Sequence, residues 1–390
     1  MGGMTHLVEV SCLGVPFAVS LSGVTDAEAE QVARAWEWCG GRLVTAAPTM
    51  PGAEVRAELR APSSAPDAGA ELVANSFGEL EDRLSGLLTR RAIDTRRNDL
   101  VMLHAGAVAD LSTGAVIAFV GPSGRGKTTA SIALGRQFGY VTDETLGVND
   151  DLTVLPYAKP LSVKQPAPER WKRQVSPSEL GLLPPPAVPL RLVGVVMLDR
   201  RTGGDGTGLP SIRSTGLAEA IGELVPQVSY LAERGRPLQR LQGILDRCGG
   251  LRQVSYLEAE TLVDVFAGIF AAAGAAGGAA DAVEPDAVEP DAADPDATRR
   301  ASAELLYAVF DDAVRDGDSL IVLNDSVVRV LAGIAPAIFE TAVWGATLDD
   351  LAGAVVATHG DAPSGSSGEL VSAAVDELVS AGLLRPAGVS

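Results

Sequence analysis

The run Gly121-Pro122-Ser123-Gly124-Arg125-Gly126-Lys127-Thr128 constrains this chain most. It satisfies G-x-x-x-x-G-K-[ST], a pattern that needs an apolar strand before it and a helix after it. Ala115–Val120 is an apolar run that ends at Gly121, and Lys127 to Phe138 reads as a helix. A glycine-rich turn alone would not put Lys127 and Thr128 in register at a helix start. The glycines let main-chain N–H groups turn inward around phosphates, and the positive end of the helix faces them. Lys127 is placed to reach the β- and γ-phosphates, and the Thr128 hydroxyl is a natural Mg²⁺ ligand. Arg125 adds a second positive charge, and Pro122, Ser123, Gly124 and Thr129 complete the cofactor-binding segment. The expected ligand is a nucleoside triphosphate, ATP with Mg²⁺.

With 390 residues the chain is long enough for more than one domain. Cys12, Cys39 and Cys248 are scattered, and the histidines are only His6, His104 and His359, so neither a disulfide framework nor a zinc centre is expected. No apolar run has the length of a membrane span, and the start lacks a signal-like pattern; a cytoplasmic protein without a membrane partner is expected. The net charge is −19, and residues 281–390 hold twenty acids against five bases. That acidity disfavours a nucleic-acid partner.

Four segments are expected. Residues 1–100 read as a small α+β unit: strands at Leu7–Leu13, Phe17–Leu21 and Ala53–Leu59, a helix capped by Thr25, and a helix from Ser76 to about Arg97 with Leu80, Leu84, Leu87 and Leu88 on one face. They carry no visible chemistry. Residues 101–270 read as an α/β P-loop core, with strands at Val101–Val108, Ala115–Val120, the start of Tyr140–Glu144, and Leu192–Leu198. Residues 271–300 are rich in Ala, Pro and acids, too poor in core-forming side chains to fold, and read as a disordered tether. Residues 301–390 read as strands at Ala308–Val314, Ser319–Leu323 and Val327–Leu331, then helices at Ile334–Val343, Leu348–Ala357 and Leu370–Ala381, a winged-helix-like pattern.

Beyond the P-loop helix stand Asp143 and Glu144. Two acids at a strand end can divide two tasks: holding Mg²⁺ directly or through water, and accepting a proton from an attacking hydroxyl. The same pair also fits a solvated acidic turn. Lys159, Lys164, Arg170, Lys172 and Arg173 form a basic stretch that fits either a solvated face or contacts to transferring phosphate, with Lys159 and Lys164 the preferred ligands. Asp199 ends an apolar strand and fits a cap or a pair with Arg200 or Arg201.

The sequence Leu103-His104-Ala105-Gly106-Ala107-Val108, the P-loop with its preceding Phe119-Val120, and Val141-Thr142-Asp143-Glu144 together resemble the HPr kinase/phosphorylase family, over about residues 101–165. The resemblance implies a phosphoenolpyruvate carboxykinase-type nucleotide fold and phosphoryl transfer to a serine hydroxyl on a protein. It places ATP on Gly121 to Thr128, the base at Asp143, a Mg²⁺-serving acid at Glu144, and His104 near the phosphates; His104 equally fits a core position. Glu144 departs from the family's usual Asp, and the family's C-terminal signature is not located, so phosphorylase activity is not implied.

Residues 306–385 resemble a PqqD-like domain, through Asp318 to Asn324, Ala335–Val343, Ala346 to Leu351 and, above all, Val375 to Leu384 with its closing Ala381-Gly382-Leu383-Leu384. That resemblance implies recognition of a leader peptide in ribosomal peptide modification, with Val327–Leu331 as the edge that receives it. Together the two imply a kinase for a hydroxyl, serine first, on a recruited peptide or protein. The alternative is a non-catalytic, ATP-gated subunit that presents a leader peptide to another enzyme. The oligomeric state is left open.

Overall fold

The computed structural model describes residues 5–45, 52–60, 69–122, 126–203, 207–275, 305–361 and 367–387. It divides into two compact units. One comprises residues 1–215, 226–230 and 248–279, the other residues 216–225, 231–247 and 280–390.

The first unit begins with the hairpin Thr5–Cys12 and Val15–Ser22. Leu13 and Gly14 both have positive φ, as a two-residue hairpin turn requires. Five strands follow the order Arg42–Val44, Thr5–Cys12, Val15–Ser22, Ala53–Leu59, Leu72–Ala74. Thr25 and Glu28 form a capping box on the helix Asp26–Ala35, and Ser76 caps the long helix Phe77–Arg96. Leu80, Leu84, Leu88 and Ala92 of the long helix are buried against the sheet. Leu100, Met102 and Tyr157 belong to the same core, so residues 1–100 share one continuous core with the segment carrying Met102 and Tyr157.

Glu81 of the long helix is 5% exposed and accepts a bond from Gln31 Nε2 at 3.0 Å. Burial pushes its carboxyl up to about 7. A raised carboxylate withdraws stability as pH climbs from its unfolded value to its folded one. Glu81→Gln should therefore remove a fall of stability between about pH 4.5 and 7, on the order of 3 kcal/mol at ~1.4 per pKa unit. Urea unfolding across that range would reveal an unchanged slope if the idea is wrong.

Among the described residues, a six-stranded sheet carries the P-loop. Its order is Ser211–Thr215, Leu251–Tyr256, Arg191–Arg200, Ala115–Val120, Gly106–Ala109, Gly139–Thr142. Arg191–Arg200 runs parallel to both Ala115–Val120 and Leu251–Tyr256. The helices Lys127–Gly135 and Leu262–Ala275 pack against this sheet through Phe119, Leu134, Phe266 and Ile269. This is an α/β core with parallel strands. Two expectations need correction. Val101–Val108 is two strands: Val101–Leu103 pairs with Leu146–Val148 and Val228–Ser229, whereas Gly106–Ala109 joins the six-stranded sheet. The break falls at His104, whose N–H bonds Gln227 O at 2.6 Å. At Gly106 a Cβ would lie 2.2 Å from the Phe119 ring. The segment from Ala271 is helical through Ala275, as its alanines allow. Residues 276–304, with most of the expected tether, lie outside the described residues.

In the second unit the strands Asp312–Asp316, Ser319–Asn324 and Val327–Leu331 form an antiparallel meander, and Leu306–Ala308 pairs with Leu384–Pro386. The expected strand Ala308–Val314 is thus two strands in two sheets. Helices Ala335–Ala342, Leu348–His359 and Ser367–Ser380 enclose a core around Phe339, Leu351 and Val375. Two further helices, Leu217–Leu224 and Pro237–Arg247, belong here. Buried Asp312 accepts the N–H of Leu238 at 2.6 Å and of Gln239 at 3.3 Å, and Asp316 accepts that of Ala218 at 2.7 Å. Each carboxylate satisfies open donors at a helix start. Residues 216–225 and 231–247 therefore group with the C-terminal residues instead of with 101–270, and the chain passes between the units at 215/216, 225/226, 230/231, 247/248 and 279/280.

Candidate active site

Gly126 precedes the P-loop helix with φ +91°, a left-handed conformation that only glycine adopts freely, and a Cβ there would also meet the Arg200 side chain at 3.4 Å. Lys127 then starts the helix and donates from Nζ to Gly121 O at 2.6 Å. Its ammonium is held below the usual lysine range by burial, against the pull of Glu144 and Asp143. Pro122 adjoins Gly121; Ser123, Gly124 and Arg125 lie outside the described residues.

The acidic pair is delivered by the strand Gly139–Thr142. Thr142 Oγ1 accepts the N–H of Glu144 and of Thr145, each at 3.3 Å, which turns the chain and sends the two acids into one place. Asp143 is only 6% exposed. Tyr140 OH donates to its Oδ1 at 3.1 Å. Lys159 is fully buried (0% exposed), with Nζ 2.8 Å from Glu144 Oε2 and 3.8 Å from Asp143 Oδ1.

Desolvation and the neighbouring Glu144 push the Asp143 carboxyl up, although Lys159 and Tyr140 act against the shift. Lys159 holds Glu144 below the usual carboxylate range. Burial acts to lower Lys159, but Glu144 and Asp143 outweigh it, and the ammonium stays charged above its ordinary value. The pair thus has two characters: one carboxylate held as an anion, one pushed upward. A solvated acidic turn would show neither.

A cleft of about 510 Å³ gathers these groups. His104, Gly126, Lys127, Thr128, Thr129, Asp143, Glu144 and Lys164 all line it. His104 is half-buried in the cleft wall, so it is not a core residue. Burial and Lys127 hold its imidazole below the usual range, hence neutral at pH 7. Lys159 does not line the cleft: it sits under the acidic pair as their counter-ion, which corrects the expectation of a direct cofactor contact. Arg200 and Lys172 line the cleft and add positive charge. Nothing local in the sequence marks Arg200, which stands beside the more prominent strand-end acid Asp199. Asp199 is bound to Arg201 at 2.7 Å and to Ser255 Oγ at 2.8 Å, leaving Arg200 for the cleft. Nothing in the sequence marked Tyr140.

Among the described residues no group of three or more His, Cys, Asp or Glu could hold an ion by itself. The donors here are the Thr128 hydroxyl and the carboxylates of Asp143 and Glu144. Such a sparse set of hard oxygens fits Mg²⁺, which takes one or two carboxylates and completes its shell with phosphates and water.

No protein-family model matches the chain, and no curated protein matches it. Among solved structures, the Hpr(Ser) kinase/phosphatase from Coxiella burnetii is similar over 45% of this chain and 97% of its own, at 12% identity and a TM-score of 0.25. Among the described residues, no helix is long and apolar enough to cross a membrane.

Proposed function

We propose that this chain transfers the γ-phosphoryl group of ATP to a hydroxyl, serine first, on a peptide or protein. One observation carries the proposal: a buried carboxylate, Asp143, held by the Tyr140 hydroxyl, shares a cleft with the P-loop lysine. The acceptor oxygen attacks the γ-phosphorus, the bond to the β–γ bridging oxygen breaks, and its electron pair leaves on ADP. The acceptor's proton passes to Asp143, whose Oδ1 Tyr140 holds. Lys127, Lys164 and Arg200 offset the phosphate charge, and neutral His104 donates to a phosphate oxygen. Thr128, Asp143 and Glu144 would hold Mg²⁺, which when bound neutralises phosphate charge. Incubation with ATP, Mg²⁺ and small peptides encoded beside the gene should give a phosphate mass shift that Lys127→Ala abolishes. Tight peptide binding without transfer would instead support an ATP-gated presenting subunit.

The acceptor is recruited by the C-terminal unit, read as PqqD-like. Val327–Leu331 pairs with Ser319–Asn324, and among the described residues no strand pairs on its other side. Val327 is 47% and Val330 40% exposed. An added strand would gain main-chain bonds there and apolar contact with these valines. Val327→Asp should weaken peptide affinity by roughly tenfold, as a lost apolar anchor does, and leave the KM for ATP alone. Equal peptide affinity by calorimetry would count against this edge.

A further inference from the structure

Residues 1–100 carry no chemistry of their own, yet their side chains reach the cleft's wall. That wall includes the hairpin Leu161–Val163 with Arg173–Val175, and Ser162, Lys164 and Lys172 line the cleft from it. A two-stranded hairpin this short is not stable alone. Buried Gln174 ties it down: its Nε2 lies 3.0 Å from Ser162 Oγ and 3.3 Å from Asp82 Oδ1, and its Oε1 accepts from Ser162 Oγ at 3.2 Å. Asp82 stands on the long helix Phe77–Arg96, and its Oδ2 also receives the Lys172 N–H at 3.5 Å. Just past the hairpin, Glu37 accepts from Ser176 Oγ at 2.6 Å and from Ser178 Oγ. The Thr89 hydroxyl shares a 2.8 Å bond with Tyr157 OH, and the Trp38 ring lies 6.4 Å from that of Tyr140, whose OH bonds Asp143.

We infer that residues 1–100 are a working part of the cleft, and that Asp82, acting through Gln174, is a positioning residue for the wall that carries Ser162, Lys164 and Lys172. Lys164 and Lys172 are long, exposed side chains. On a loose hairpin, ordering the backbone as well as the side chains would oppose polyphosphate binding. On an anchored one, the backbone cost is met in advance. This inference rests on the reading of the cleft as a nucleoside triphosphate site.

The test uses the full chain as wild type, Asp82→Ala, Asp82→Asn and Lys127→Ala, with a fluorescent ATP analogue as the probe and hydrogen exchange of residues 161–175 as a second readout. Asp82→Ala should weaken binding roughly 5- to 10-fold, as a lost preorganising contact does, and speed exchange in the hairpin with Tm nearly unchanged. Asp82→Asn keeps an acceptor oxygen for Gln174 and should stay within about twofold of wild type by the same argument. A fall in Tm with normal affinity of the folded protein would mean a merely structural Asp82 and overturn the inference. So would unchanged exchange in the hairpin. Wild type that binds no analogue overturns the nucleotide reading itself; equal binding by wild type and Asp82→Ala, with Lys127→Ala failing to bind, overturns only the positioning role.

Discussion

Asp143→Asn is expected to slow phosphoryl transfer by about 10²- to 10⁴-fold, the range that a positioned general base contributes. The amide keeps the size of the side chain and an oxygen for Tyr140 OH, so the fold and the P-loop should be untouched. ATP affinity should stay within a few-fold. The loss should therefore fall on kcat. The pH profile gives a second check on the same residue. Asp143 must be ionised to take the proton, so wild-type kcat should climb through an acidic limb that belongs to this carboxyl. In Asp143→Asn that limb should be gone from what activity remains.

Lys159→Met should cost about 2–3 kcal/mol of stability at pH 7, at or below the low end for stripping one partner from a buried ion pair, because water screens the partly exposed Glu144. Met matches the shape of the lysine stem but leaves enclosed Asp143 and partly exposed Glu144 without their cation. Each group sets its own sign in the pH dependence. Glu144 is held low by Lys159, so its contribution is present above its unfolded pKa and lost as pH falls through the folded one. Lys159 is held high, so its contribution is complete below the ordinary lysine value. Asp143 is held high by burial and opposes the fold once pH passes its unfolded value. Without Lys159 both carboxyls should rise, and the variant should recover relative to wild type as they take up protons on acidification. Urea titrations at neutral and acidic pH measure this directly. A variant equally stable at neutral pH would mean that Lys159 is not the counter-ion. The acidic limb of kcat should also move to higher pH.

The parts of the site that lie close in sequence could be read from it. The strand Ala115–Val120, the loop and the helix at Lys127 form one local unit, and the pattern marks all three. Asp143 and Glu144 stood out as adjacent acids at a strand end. Their surroundings could not be read this way. Lys159 looked like a member of a basic stretch, because only the fold buries it beneath Glu144. Tyr140 looked like an apolar strand residue, because a phenol gives no sign of its partner until the strand turns. Arg200 was hidden by Asp199, since nothing local says that Arg201 takes the acid. The run Val101–Val108 has one apolar pattern but enters two sheets, and periodicity does not record which neighbours a strand will find. The capping of Pro237–Arg247 by Asp312 spans too much sequence for any local signal. Residues 1–100 looked inert for the same reason: Asp82 meets Gln174 only through the fold.

In the proposed reaction this cleft moves phosphate from ATP to a hydroxyl with Asp143 as the base. The most direct measurement tracks the γ-phosphate of labelled ATP with Mg²⁺ and a peptide acceptor, in wild type and in Asp143→Asn. Label is expected on an acceptor hydroxyl with wild type, with loss of that transfer in Asp143→Asn while ATP still binds. Transfer by Asp143→Asn at the wild-type rate would contradict it, as would wild type that releases the label only to water.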